Sequence, residues 1–272
     1  MGQWLTERTG QQFIVENRPR AATNIATEIV VNAPADGYTL LLVSVPAAIN
    51  TTLYGNLTFN FLRDIALAAG VMSIPLYVVT KPSVQTRTLP EFIAYAKANA
   101  GKINMGSAGI GSAGHLAGEL FNTMTGVNLV HVPYRGNGPA LAGLLGGEAE
   151  VLFPTPPSSI EYIGAGRLRG LATMGATRSE AVADLPTVAE FMPGYEMSAW
   201  YGVGGPRGMP AEVVDKINKE IGAGLADPRM NVRFADLGGA PMPMTPAEFG
   251  KLVAHEAEKW ARVIRRANLK PV

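Results

Sequence analysis

Lys102-Ile103-Asn104-Met105-Gly106-Ser107-Ala108-Gly109-Ile110-Gly111-Ser112-Ala113-Gly114-His115 reads as a short strand, a loop of small residues and the opening of a helix. The helix is expected over Ala113–Met124, with Leu116, Leu120 and Met124 on one face at i, i+4 and i+8. Glycine, serine and alanine at a strand-to-helix turn let a ligand come close to the backbone. The free N–H groups of a helix start, together with the hydroxyls of Ser107 and Ser112, favour an anion. The stretch therefore implies an anion-binding loop, for phosphate or carboxylate.

Around this loop the chain alternates strand and helix. Upstream, the pattern predicts the end of an amphipathic helix closing at Gly10 and a strand over Gln12–Val15, closed by Asn17-Arg18-Pro19. A helix over Ala21–Asn32 follows, with Ile25, Ile29 and Val30 inward. Pro34–Gly37 reads as a turn, and Tyr38–Ser44 as an apolar strand buried on both faces. Strand, helix, strand at this spacing implies a βαβ unit in a parallel sheet. Strands are also expected at Leu76–Thr80, Asn128–Val132, Glu150–Phe153 and Arg169–Met174, with an extended run at Trp200–Val203. Helices are expected from Thr88, from Pro139 to Gly146, and over Pro210–Leu225. Thr245-Pro246-Ala247-Glu248 is a helix start with a cap, proline at the first position and glutamate at the third. The whole reads as an α/β protein. The extended runs near Leu76–Lys81 and Trp200–Gly204 bracket a middle segment with its own α/β pattern. That gives a discontinuous lobe of residues 1–79 and 199–272 with a second lobe, 80–198, inserted, and a ligand expected in the cleft they form.

Composition narrows the function. At 272 residues the chain is long enough for two lobes, with 47% hydrophobic and 17% charged residues and a net charge of +1. It has no dense basic cluster to suggest a nucleic-acid partner. There is no cysteine, so neither a disulfide nor a thiolate nucleophile enters the argument. Three histidines far apart in sequence make a poor zinc set. No apolar run has the length of a membrane span, and the N-terminal residues lack the basic start and apolar core of a signal peptide.

Gly109-Ile110-Gly111-Ser112-Ala113-Gly114 also matches G-x-G-x-x-G, after a strand and before a helix. The dinucleotide fingerprint calls for an acid at the end of the next strand. Here that strand runs His131-Val132-Pro133-Tyr134-Arg135, where Arg135 is the residue placed to meet a 2′-phosphate. His115, in the first turn of the helix, is expected neutral because a cation there opposes the helix dipole. It either hydrogen-bonds a ligand or caps the loop. His131 reads as a core histidine and His255 as solvated. Neither Ser107 nor Ser112 lies in a G-x-S-x-G elbow, and no carboxylate pair stands out for acid–base work. The lack of a nucleophile, metal set or acid pair argues against an enzyme.

Several runs, in order along nearly the whole chain, resemble one family. They include Val15-Glu16-Asn17-Arg18-Pro19, Asn24-Ile25-Ala26-Thr27-Glu28, Ala35-Asp36-Gly37-Tyr38-Thr39-Leu40-Leu41, the Gly106–Phe121 run, Val130-His131-Val132-Pro133-Tyr134-Arg135-Gly136, Leu185–Glu190 and Thr245–Phe249. The chain resembles the Bug-type extracytoplasmic solute receptors of tripartite tricarboxylate transporters. The resemblance implies a two-lobed periplasmic-binding-protein (Venus-flytrap) fold, with mixed and parallel sheets flanked by helices. It also implies a non-enzymatic, cofactor-free monomer in the periplasm that binds a small carboxylate and hands it to membrane transporter subunits. On the family pattern, Ser107, Ala108, Gly109, Gly111, Ser112 and His115 form the second-lobe side of the pocket. Asn24, Ser44 and Val45 lie on the first-lobe side, flanked by Tyr134, Arg135 and the Trp200 crossover.

The family begins with a signal peptide, a first strand and a ligand-contacting loop, so the resemblance reads the chain as N-terminally truncated; a genuine start would instead imply a cytoplasmic protein. The family's Pro-Gly-Ala-Gly-Gly-Asn is here Pro19-Arg20-Ala21-Ala22-Thr23-Asn24, which restricts backbone approach. Pro154-Thr155 replace a common acidic residue, which implies a simple carboxylate rather than an amino acid. The alternatives are an NAD(P)-dependent oxidoreductase built on Gly109–Gly114, and a degenerate binding protein with no ligand.

Overall fold

The computed structural model describes residues 1–18 and 21–269, in two compact units. The first comprises Met1–Ser73 and Trp200–Arg262, and the second Ile74–Ala199 with the C-terminal residues from Val263.

In the first unit, α1 (Gly2–Thr9) stops at Gly10, whose left-handed φ of 71° ends the helix. Gln12–Val15 belongs to no strand. It has no ladder partner among the described residues, and Ile14 and Val15 stand exposed. Of its expected closing turn, Pro19 lies outside the described residues, as does Arg20. The helix expected from Ala21 starts later, as α2 (Asn24–Val31), after a single 3-10 turn at Ala21–Thr23. Its buried stripe is Asn24, Thr27 and Val30, while Ile25 and Ile29 face outward. The inward face is thus largely polar, which apolar spacing alone does not reveal.

The expected seven-residue strand shortens to β1 (Leu41–Ser44), in which alternate residues are buried and Leu42 is exposed. It lies at the edge of its sheet and pairs antiparallel with the later strand β8 (Ser198–Pro206). The parallel βαβ unit expected here is therefore absent from the described residues: Gln12–Val15 forms no strand for β1 to follow. After β1 come α3 (Val45–Leu53), α4 (Phe61–Asp64) and the long β2 (Ile65–Pro75), within which the chain passes into the second unit.

The second unit contains β3 (Tyr77–Thr80), α5 (Leu89–Ala98), β4 (Ile103–Ser107), α6 (Ala113–Thr125), β5 (Leu129–Pro133), α7 (Asn137–Gly146), β6 (Val151–Leu152), α8 (Pro156–Gly164) and β7 (Arg169–Thr173). Its five-stranded sheet has the order β5-β4-β6-β3-β7. β4 runs parallel to both β5 and β6, whereas β3 is antiparallel to β6 and β7. The core packs Tyr77, Val79, Leu144, Leu152 and Leu168 together. α6 lies so close to β4 that a Cβ on Gly118 would come within 1.8 Å of the Met105 sulfur. The buried face of α6 is His115, Leu116, Gly118, Phe121 and Thr125. The expected stripe through Leu120 and Met124 is displaced, and Met124 is exposed.

The chain returns to the first unit within β8 (Ser198–Pro206), followed by α9 (Ala211–Leu225), α10 (Pro228–Asp236), β9 (Ala240–Met244) and α11 (Pro246–Arg266). The four-stranded sheet has the order β1-β8-β2-β9. Thr245 caps α11 reciprocally: its hydroxyl accepts the Glu248 N–H, and the Glu248 carboxylate accepts the Thr245 N–H. Phe249, Val253, Ala257 and Trp260 form the buried stripe of α11. Buried Glu256, on the same helix, accepts the indole N–H of both Trp200 (3.2 Å) and Trp260 (2.8 Å).

Candidate functional site

The parallel strands β4, β5 and β6 of the second unit are each followed by a helix: α6, α7 and α8. Three helix N-termini therefore open beyond the carboxyl ends of these strands, the edge where parallel α/β sheets bind ligands. A recess there is lined by Gly106, Ser107, Ala108, Gly114, Asn137 and Pro154, together with apolar residues behind them. Gly114 belongs to the start of α6 and Asn137 to the start of α7, and Pro154 immediately precedes the cap of α8. Helix geometry leaves the first-turn amides, such as those of Ala113 and Gly114, without an intrahelical acceptor. The starts of α6 and α7 make the recess electropositive with no charged side chain lining it, whereas α8 opens on Pro156 and Pro157, which carry no amide N–H.

The loop from β4 to α6 is shaped by two left-handed glycines, Gly109 (φ 126°) and Gly111 (φ 77°). A side chain at Gly109 would be strained, and its Cβ would meet the Tyr134 carbonyl at 3.2 Å. Ser107 is buried, and its hydroxyl accepts the Gly109 N–H at 3.1 Å. The Ser107 carbonyl accepts the Tyr134 N–H at 2.9 Å. Ser112 caps α6 by accepting the His115 N–H at 3.3 Å, and its own N–H donates to the Gly109 carbonyl at 3.1 Å.

His115 is buried beneath the loop. Its Nδ1 accepts the Gly111 N–H at 3.2 Å, so the ring proton resides on Nε2. Nε2 makes no hydrogen bond, and an oxygen of the Glu119 carboxylate lies 3.8 Å away. The ring stacks on His131 with centroids 3.8 Å apart, and His131 Nε2 lies 2.6 Å from the Ser107 hydroxyl. Burial, reinforced by His131, pushes the His115 pKa down to about 3, and burial pushes His131 down to about 4. His115 is neutral, as its position implies, with desolvation as the main cause. Burial also raises the Glu119 carboxyl.

Ser107, Ala108, Gly109, Gly111, Ser112, His115 and Tyr134 are thus brought together at one end of the second unit. Tyr134 directs its hydroxyl to Glu148 (3.1 Å), so it supports the loop chiefly through its backbone. Arg135 is exposed. Asn24, Ser44 and Val45 belong to the first unit. There the Asn24 side-chain oxygen accepts from Asn50 at 2.7 Å, Ser44 ends β1, and Val45 opens α3 with its side chain buried. Trp200 is likewise buried, its indole held by Glu256. Sequence reasoning missed Asn50 and Asn137, and it read His131 only as core. The parallel pairing of β4 with β5, which sets Met105 opposite His131, is what carries that ring to Ser107.

Among the described residues, no group of three His, Asp or Glu could hold a metal, and no helix is long and apolar enough to cross a membrane. Protein BugT of Bordetella pertussis is 34% identical over 269 residues, 98% of this chain and 82% of that protein. The solved structure of R. palustris Rpa4515 with adipate superposes with a TM-score of 0.92 at 32% identity, covering 100% of this chain and 91% of that one. MatC (Rpa3494) from Rhodopseudomonas palustris with bound malate gives 0.87 at 26% identity, covering 97% and 91%. The dinucleotide reading of Gly109–Gly114 finds no support in these relatives, two of which hold adipate and malate. Residues 2–269 match the family described as the tripartite tricarboxylate transporter family receptor, and the chain belongs to that family.

Proposed function

We propose that this protein is a periplasmic, monomeric receptor that captures a small organic acid and delivers it to the membrane subunits of a tripartite transporter. The observation that carries the ligand class is the recess onto which the starts of α6 and α7 open. A carboxylate there accepts backbone N–H groups and the hydroxyls of Ser107 and Ser112, without a formal cation. The adipate and malate held by two relatives are ligands of this kind. The two compact units serve as the receptor's lobes. Within the first unit the candidate contacts are Asn24, Ser44 and Val45, and within the second they include Ala108, Gly109, Gly111 and Arg135. No carboxylate side chain lines the recess, and Pro154 occupies its α8 side, so an ammonium group finds no counter-ion there. The ligand is accordingly a simple mono- or dicarboxylate rather than an amino acid.

The test is thermal unfolding of the 272-residue chain with malate, adipate, aspartate, glutamate, NADH and NADPH in turn. A ligand specific to the folded state adds about 2.7 kcal/mol at 100 times its dissociation constant. The expected result is a rise with malate or adipate that exceeds the rise with aspartate or glutamate. A rise confined to a nucleotide would overturn the receptor reading, and a preference for the amino acids would overturn the ligand class. Light scattering that showed a dimer would remove the monomer assignment. The left-handed Ala21–Thr23 turn favours a second reading, a receptor fold that has lost its ligand. That reading stands if no carboxylate shifts the transition.

A further inference from the structure

Ser107 and the stretch Gly109–Gly111 take their shape from two imidazoles that lie on other elements. The His115 ring is buried to 2% exposure, so it is no direct ligand contact from the surface. Each of its nitrogens has a defined place. Nδ1 faces the Gly111 N–H, which can only donate, and Nε2–H faces the Glu119 carboxylate at 3.8 Å. His131 covers one face of the ring from β5 and reaches the Ser107 hydroxyl with its own Nε2. A buried amide without an acceptor is unfavourable. The Gly111 peptide is therefore oriented by the His115 Nδ1 lone pair, and it lies one residue before the cap of α6.

We propose that His115 is a positioning residue for ligand capture: as a neutral Nε2–H tautomer stacked on His131, it accepts the Gly111 amide and thereby holds the loop in the form that presents the α6 N-terminus to a carboxylate. This rests on the receptor reading given above. The ring acts through the loop and does not touch the ligand. The Gly111 N–H fixes the tautomer by donating to Nδ1, His131 blocks rotation of the ring, and Ser107 ties the second imidazole to the same loop. A proton on Nδ1 would set two donors against each other at the Gly111 contact.

Three variants separate this role from simple packing. His115→Leu removes the acceptor. His115→Asn keeps a carbonyl oxygen at the position of Nδ1. His115→Gln carries its amide out to the position of Nε2. Affinity for malate and adipate is measured by calorimetry, with the Gly109 and Gly111 amides followed by NMR. The expected result is binding about tenfold weaker in His115→Leu and His115→Gln, the scale of one lost hydrogen bond, with partial recovery in His115→Asn. The Gly111 amide should move in the first two variants and stay nearer its wild-type position in the third. Equal affinity in all three, or equal losses in Asn and Leu variants that are both folded, would overturn the proposal. If His115→Leu fails to fold, the Asn–Gln pair decides. Imidazole nitrogen shifts of the ligand-free wild type give an independent readout. A non-titrating Nε2–H tautomer of His115 from pH 5 to 8 supports the proposal, and an Nδ1–H or protonated ring overturns it. Because that readout needs no ligand, failure of wild type to bind any carboxylate would sink the receptor reading and leave the tautomer measurement to judge the positioning role.

Discussion

Two turns in this molecule make the same demand on the backbone and meet it differently. In the second unit, the turn before α6 places its positive φ values on Gly109 and Gly111. In the first unit, the turn before α2 places them on Ala21 (φ 47°), Ala22 (φ 45°) and Thr23 (φ 75°). An L-residue in the left-handed region costs roughly 1–2 kcal/mol, so the first-unit turn stores strain that the other avoids. What holds it is Asn50, whose buried side-chain amide donates to the Ala22 carbonyl at 2.6 Å and to Asn24 Oδ1 at 2.7 Å. One turn is kept by glycines and imidazoles, the other by a carboxamide clamp working against its own backbone.

Acid should break this comparison most sharply, because the imidazoles titrate and the carboxamides do not. Both histidines bind a proton less readily folded than unfolded, so the unfolded chain holds more protons below pH 6.5. Their contribution is complete above pH 6.5 and is lost as pH falls through that value towards about 4 for His131 and about 3 for His115. Urea unfolding at pH 7 and pH 4 should differ by roughly 3 kcal/mol, with His131's partial exposure and the opposing raised carboxyl of Glu119 both reducing the figure. The Gly109 amide, tied through Ser107 to His131, should shift towards pH 4, the Gly111 amide only as pH approaches 3, and the side-chain amides of Asn24 and Asn50 should not shift.

Gly109→Val imposes on the second turn what the first already bears. It should lose about 2–3 kcal/mol in chemical denaturation, and carboxylate binding should fall with it. Asn50→Leu removes the clamp and leaves the Ala22 carbonyl and Asn24 without their donor, a loss of about 2 kcal/mol. Unchanged stability there would mean the strained turn needs no holding. The smallest effect runs the other way. Ala22→Gly or Thr23→Gly should each gain about 1 kcal/mol, seen as a rise of roughly 2–4 °C in melting temperature.

What could be read in advance follows the same division. β4, its loop and α6 were legible because a strand, small residues and a capped helix follow one another without interruption. α11 was legible from Thr245-Pro246-Ala247-Glu248 and its long apolar stripe. β2 escaped notice despite its eleven residues, since Ala66, Ala68, Ala69, Gly70 and Ser73 dilute its β-branched signal. β9 carries Pro241 and Pro243, and it is tolerated as a strand only because it lies at the sheet's edge. In α2 the apolar spacing of Ile25 and Ile29 pointed the wrong way, because the buried side is set by Asn24 and its contact with Asn50. The loop's residues were visible as a motif. The pairing of Ser107 with His131 was not, because it depends on strand register rather than on any local pattern.

The carboxylate that Glu256 shares between Trp200 and Trp260 has an optical consequence. With Trp4 in α1, those two complete the chain's three tryptophans, and all three belong to the first unit. The second unit, with the three helix starts and the two stacked imidazoles, is dark at tryptophan wavelengths. Intrinsic emission is therefore a one-sided gauge. It stays silent for any event confined to the recess, and it changes when an added organic acid alters the surroundings of indoles in the other half of the chain.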